Sequence, residues 1–273
     1  MQVAILGMKE GIKAVRPIIE KYFAVVDGET QPYDFLIIVG GDGSILDGKV
    51  RWLACNHPVL KIHHSTNIKS LGYTCDVNIN NLERALNDIK EGKYWFEETN
   101  VFRYTITSED HRSIQSGIFL NDISIENVER ASTILAKINI KDDEDRSYEE
   151  NLPIAKCTGL LITGNHGSSA WNLALNGAVV VAKKQEHILL DIRESPLKPD
   201  KFIFAGTAIV NITPLCNCII KLDREELKLE KNAILRLEID YHLVIRFIKT
   251  TNTKESMMEK LLRFNKFQYE QLI

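Results

Sequence analysis

The sequence has no run approaching the ~18 continuous apolar residues that cross a membrane as a helix, so a helical membrane protein is not expected. Excess charge of one sign is also missing. The 34 Lys and Arg against 37 Asp and Glu leave a formal net charge of −3, which excludes a strongly basic nucleic-acid binder. Cysteine is sparse: Cys55, Cys75, Cys157, Cys216 and Cys218 are odd in number and without framework spacing, so a disulfide-stapled scaffold is not expected. Neither Cys216-x-Cys218 nor the neighbouring Cys55, His57, His63 and His64 has the paired spacing of a structural zinc site, and no metal ligand is assigned. Internal repeats and low-complexity linkers are lacking too. The opening MQVAILGMKEGIK carries an apolar run too short for a signal peptide and reads as a first strand; with reduced thiols, a cytosolic location is expected.

What is there is an ordinary globular composition, 44% hydrophobic and 26% charged, over 273 residues. At roughly 150 residues per domain this length suits one large domain or two small ones. The first part alternates strand and helix. Val3–Leu6 reads as a strand, and Ile12, Val15, Ile19, Tyr22 and Phe23 form a helical stripe. Phe35–Val39 is five apolar residues in a row, as in a parallel strand covered on both faces. Ile45, Leu46, Val50 and Leu53 then fall at helical spacing, Pro58–Ile62 reads as a strand, and Asn80 or Asn81 caps a helix carrying Leu82, Ala85, Leu86 and Ile89 to Gly92.

Beyond about residue 95 strands recur with few helices. They are Val101–Thr107, Gly117–Ile125, Ile134–Ile140, Gly159–Thr163, Val179–Ala182, Phe202–Ile212, Cys218–Leu222, Leu235–Ile239 and Leu243–Ile248. The acidic Lys141–Glu150 reads as a solvated hairpin tip and Glu255–Phe267 as a terminal helix. The expected organisation is therefore an α/β domain with an open, mostly parallel sheet over 1–95 and a β-rich, sandwich-like domain over 96–250. The helical segment 251–273 would pack back on the first domain.

The most informative stretch is Phe35-Leu-Ile-Ile-Val-Gly-Gly-Asp-Gly-Ser-Ile-Leu46. Glycines 40, 41 and 43 permit close backbone approach, and their amides with the following helix start form a phosphate cradle. The cradle lies at the C-terminal edge of a parallel strand, where open α/β sheets bind ligands. Asp42 in its middle would repel phosphates unless it holds Mg²⁺ or faces a hydroxyl it activates. A tight turn with a capping Asp is the plainer alternative. Two generic motifs fail: Gly43–Val50 follows P-loop spacing but ends in Val50 where Ser or Thr holds Mg²⁺, and Gly41–Leu46 lacks the third glycine of a dinucleotide fingerprint.

The chain resembles the NAD kinase family. Gly40-Gly41-Asp42-Gly43 matches its GGDG signature, which diacylglycerol kinase-type lipid kinases share, and Ser44 stands where Thr is usual. Ser65–Tyr73 looks like GxNxGxLGF and keeps Asn67, Leu71 and Gly72; Asn121-Asp122 stands for Asn-Glu; Thr158–Trp171 looks like DGLIVSTPTGSTAY. The departures are Thr158 for an acid, Gly164-Asn165-His166 for Thr-Pro-Thr, Trp171 for Tyr, and Ser65 and Lys69 for glycines.

That resemblance implies phosphoryl transfer from ATP or polyphosphate to the adenosine-ribose 2′-hydroxyl of NAD, with Mg²⁺ or another divalent cation. Asp42 is then the catalytic residue, and Gly40, Gly41, Gly43 and Ser44 bind phosphate. Asn67, Asn121, Asp122, Thr158, Thr163, Ser168, Ala170 and Trp171 bind the dinucleotide. On the residues alone, 168–176 reads as a Ser-capped helix with Trp171 and Leu175 in the core. Asp223 stands near an aspartate of the family's late β segment and receives no role. A dimer or tetramer is implied by resemblance, with no nucleic-acid or membrane partner. Two other readings stay open: a non-catalytic NAD(P)-binding paralogue, favoured by the lost acid at 158, and a lipid kinase.

Overall fold

The computed structural model describes residues 1–28, 30–64, 75–110, 112–129, 132–142, 149–180, 186–196 and 198–251, and of Asp42 the backbone. Two compact units result, one of Met1–Glu98 with the chain from Ile245 onward, the other of Thr99–Val244.

The first unit is an α/β layer. Its elements are β1 (Gln2–Gly7), α1 (Lys9–Ile19), β2 (Ala24–Val26), β3 (Phe35–Gly40), α2 (Gly48–Asn56), β4 (Val59–His63), β5 (Val77–Asn78) and α3 (Leu82–Lys90). Strand β1 lies between β2 and β3, β4 follows β3, and all these pairs are parallel. Every residue of β3 is buried, which is why it reads as an unbroken apolar run rather than an alternation. One face, Phe35, Ile37 and Val39, packs in a single core with Val15 and Ile19 of α1 and Leu82, Ala85, Leu86 and Ile89 of α3. The 3.6-residue stripes predicted for α1 and α3 are thus the faces that bury.

Helix α2 differs from expectation. Asp42–Ile45 forms a 3-10 turn, Asp47 Oδ1 accepts the Val50 N–H at 3.2 Å, and the helix restarts at Gly48. The buried face becomes Arg51 and Ala54, while Val50 and Leu53 are half-buried. An Asp in N-cap geometry competes well against continuing the turn, and it shifts the helical phase.

The second unit is antiparallel. Its elements are β6 (Tyr94–Thr107, which begins in the first unit), β7 (Ser113–Phe119), β8 (Asp122–Asn127), β9 (Ile134–Asp142), β10 (Glu149–Cys157), β11 (Gly159–Gly164), α4 (Trp171–Ala174), β12 (His187–Arg193), β13 (Lys201–Ala205), β14 (Ala208–Pro214), β15 (Cys218–Leu222), β16 (Glu225–Leu229) and β17 (Ile234–Thr250, which ends in the first unit). Six of them form a sheet in the order β13-β12-β11-β8-β15-β16, and β10-β9-β14-β17 form a second run. Alternate residues of both, such as Ile138 and Ile140 of β9 with Leu160 and Ile162 of β11, share one apolar core. That core makes the unit sandwich-like.

Three expectations are corrected. Gly117–Ile125 is two strands broken at Leu120-Asn121, and Phe202–Ile212 is two strands broken at Gly206-Thr207. Leu235–Ile239 and Leu243–Ile248 are one strand, because Asp240 keeps its place there by accepting from Arg103 Nε at 2.8 Å and from the His242 and Leu243 N–H groups. Segments 255–267, 181–182 and 143–148 of the expected terminal helix, strand and hairpin tip lie outside the described residues.

Candidate functional site

Strand β3 ends in the glycine turn. Gly40 has φ +153°, and a Cβ there would stand 2.1 Å from Ser44 Oγ, so only glycine lets the turn close on Ser44. The Gly40 carbonyl accepts the His64 N–H at 3.1 Å, which ties the ends of β3 and β4 together. Gly41 carries the Ser44 N–H on its carbonyl at 3.1 Å, closing the 3-10 turn over Asp42, Gly43 and Ser44. The first turn of α2 already has the Asp47 carboxylate against it. The N–H of Val50 in that first turn is thus taken by a side chain of the chain itself.

In the second unit the break between β7 and β8 carries Asn121 and Asp122, both half-buried. Asp223, in the turn between β15 and β16, accepts the N–H groups of Leu120 on Oδ2 at 2.9 Å and of Asn121 on Oδ1 at 2.9 Å. Its Oδ1 also accepts from the Asp122 N–H at 3.3 Å. Burial, and then the charge of Asp223, push the Asp122 carboxyl up to about 7. From the other side Thr163 Oγ1 donates to the Asn121 carbonyl at 2.7 Å. Gly167 packs on the same carbonyl so closely that a Cβ would lie 2.1 Å from it and 2.4 Å from Thr163 Oγ1.

Ser168 is buried, and its hydroxyl donates to the Asn165 carbonyl at 2.8 Å and accepts the Val180 N–H at 3.0 Å. Gly167–Ser169 is a 3-10 turn leading through the exposed Ala170 into the four-residue α4, in place of the longer helix expected. Trp171 is half-buried at its start, with the Arg193 guanidinium 5.2 Å from the ring centroid. Thr158, at the far end of β11 from Thr163, donates its N–H to the Arg193 carbonyl at 3.1 Å. Arg193 in turn meets Glu126 at 3.1 Å, and Lys221 meets the same carboxylate at 2.8 Å. Burial would raise Glu126, but these two cations hold it below the usual range.

Asn121, Asp122, Thr163 and Ser168 thus gather, with Gly167, around one turn of the second unit. Thr158 and Trp171 meet through Arg193, and the Gly40–Ser44 group stands on the first unit. Asn67 lies outside the described residues. Two members escaped the sequence reading. Asn172, buried, donates to the carbonyls of Ser168 and Ala178 at 3.3 and 2.8 Å and holds the loop. Asp223, whose local signal is no more than an acid at a hairpin tip, gains its role only from the bonds to 120–122. Among the described residues no group of three His, Cys, Asp or Glu could hold a metal, and no helix is long and apolar enough to cross a membrane.

No family-level sequence model matches the chain. It is 23% identical over 246 residues to an NAD kinase of Clostridium kluyveri, covering 90% of this chain and 78% of that one. Over 259 residues it is 25% identical to an NAD kinase of Clostridium perfringens, covering 90% and 87%. The structure matches that of an NAD kinase from Archaeoglobus fulgidus in complex with ATP, with TM-score 0.70, 16% identity and 93% and 95% coverage. Against yeast NADH kinase complexed with NADH the TM-score is 0.78, with 16% identity and 97% and 88% coverage. The fold is that of these two solved structures.

Proposed function

We propose that this chain, a divergent relative of the NAD kinases, transfers the γ-phosphoryl group of ATP to the adenosine-ribose 2′-hydroxyl of NAD, giving NADP. The observation that carries this reading is the Gly40–Gly43 turn closing at the C-terminal end of parallel strand β3, in the fold of NAD kinases. Phosphoryl transfer asks for positioning and charge neutralisation more than for covalent work by the protein. The N–H groups of Gly41 and Gly43, with Ser44, hold phosphates, and Asp42 orients or deprotonates the 2′-hydroxyl.

Asn121 and Asp122 bind ribose hydroxyls or the adenine edge. Because Asp122 is protonated up to about pH 7, it can donate a hydrogen bond as well as accept one. Trp171 stacks on a base with the ring face not taken by Arg193. Thr163, Ser168 and Ala170 line the dinucleotide pocket, Thr163 and Ser168 chiefly by holding its loop, and Asn67 and Thr158 are further substrate-binding residues. Mg²⁺ is characteristically bound by substrate phosphates and one or two carboxylates, and Asp42 is the carboxylate of the turn that would hold it. The ion neutralises phosphate charge when bound. Polyphosphate offers the same phosphate chemistry as donor. Assembly is as a homo-oligomer, in the cytosol.

Incubating the purified protein with NAD, ATP and Mg²⁺ and assaying NADP tests the reading. NADP is expected. Measurable NAD binding with no NADP would favour a non-catalytic dinucleotide-binding protein, as the lost acid at Thr158 suggests.

A further inference from the structure

Asp223 organises the candidate turn at 120–122 from about a hundred residues away in sequence. Its two carboxylate oxygens take three consecutive main-chain N–H groups, those of Leu120, Asn121 and Asp122, at 2.9, 2.9 and 3.3 Å. Its own N–H donates back to the Asp122 carbonyl at 3.1 Å. The residue adopts φ +50°, a left-handed conformation that Asp tolerates better than most side chains and that bends the β15–β16 hairpin under the turn. Successive N–H groups aimed at one point form an anion-binding concavity, and here the protein fills it with its own anion.

The arrangement is poor design for stability alone. It sets the Asp223 carboxylate near a second, half-buried carboxyl, Asp122, and like charges in one site oppose each other. What it achieves is a fixed main chain: the Asn121 N–H is held by Asp223 and its carbonyl by Thr163. Local strain of this kind gathers at functional sites, where a placement matters more than its cost.

We propose that Asp223 is a positioning residue of the dinucleotide site, fixing the Asn121–Asp122 main chain and through it both side chains, without touching the substrate. The proposal rests on the kinase reading above. An Asn at 223 keeps the shape but offers one oxygen, so it can serve the Asn121 and Asp122 amides or that of Leu120, not all three.

The test compares wild type, Asp223→Asn and Asp223→Ala by steady-state kinetics, by NAD binding and by hydrogen exchange at the amides of 120–122. Expected for Asp223→Asn are faster exchange at those amides, a KM for NAD raised about 5- to 20-fold, and kcat and the KM for ATP within about 2-fold. Asp223→Ala should go further in the same direction; should it fail to fold, the Asn variant carries the test. A KM for NAD that does not move, one that rises equally with the KM for ATP, or unchanged exchange at 120–122 would overturn the proposal. A wild type that binds NAD but forms no NADP sinks the kinase reading alone, and the dissociation constant for NAD then takes the place of KM.

Discussion

Two turns of this chain carry its candidate chemistry, and they are built in opposite ways. The turn at 40–44 is self-sufficient: glycines, Ser44 and a 3-10 hydrogen bond within five residues close it, and neighbouring β4 adds one bond through His64. The turn at 120–122 is held from elsewhere in the sequence. Asp223 supplies its amide partners, Thr163 its carbonyl partner, and Gly167 the space beside that carbonyl. Phosphates are recognised through backbone amides that a short glycine-rich loop can present unaided. Ribose hydroxyls and base edges call for particular side chains in fixed places, and that takes a framework of several strands.

The contrast can be broken at either turn. Asp42→Asn carries the largest expected effect. Kinetics should show kcat lower by about 10²- to 10⁴-fold, the range of a lost general base, with NAD binding nearly unchanged. Next is Gly167→Ala. Its Cβ meets backbone, the Asn121 carbonyl at 2.1 Å, so the turn must move. Overpacking of this kind costs about 1–3 kcal/mol, and denaturant melts should show it together with a raised KM for NAD.

Gly40→Ala is the matched change at the local turn. Its Cβ meets a side-chain hydroxyl, which can rotate away, but φ +153° strains any other residue there, so thermal melts should show a loss of stability about as large as in Gly167→Ala. Turnover should fall while the KM for NAD stays near wild type.

The last effect shows only in the pH dependence of stability. The Asp122 carboxyl titrates near 7 in the folded chain, against an ordinary 3.8, so the native state binds the extra proton between those values. Stability from this group is therefore full below about pH 4, falls as pH rises toward 7, and is level above. Asp122→Asn removes that loss. Melting curves should match wild type near pH 4 and exceed it at pH 8 by up to about 4 kcal/mol.

The same contrast decides what the sequence made legible. Strand β3 and its turn were readable because the cause sits in the residues themselves: a doubly covered apolar run, then glycines. Stripes such as Val15 and Ile19 or Leu82, Leu86 and Ile89 found their burial for a similar reason. Across Gly117–Ile125 the apolar residues continue through Leu120, Ile123 and Ile125, and the break between them is imposed by Asp223 from afar. No local pattern announces it. Edge strand β10 was missed because it is largely exposed and carries Pro153, at a register shift between Leu152 and Ala155. The helix expected after Ser168 shrank to four residues, since the Ser168 hydroxyl caps no helix and instead binds Asn165 and Val180.

The central claim is that one turn presents a donor phosphate and the other a dinucleotide acceptor. Following label from [γ-³²P]ATP into products, with NAD present, tests it most directly. The account predicts label in NADP in amounts equal to the ADP formed. ADP with labelled inorganic phosphate and an unlabelled dinucleotide would contradict it.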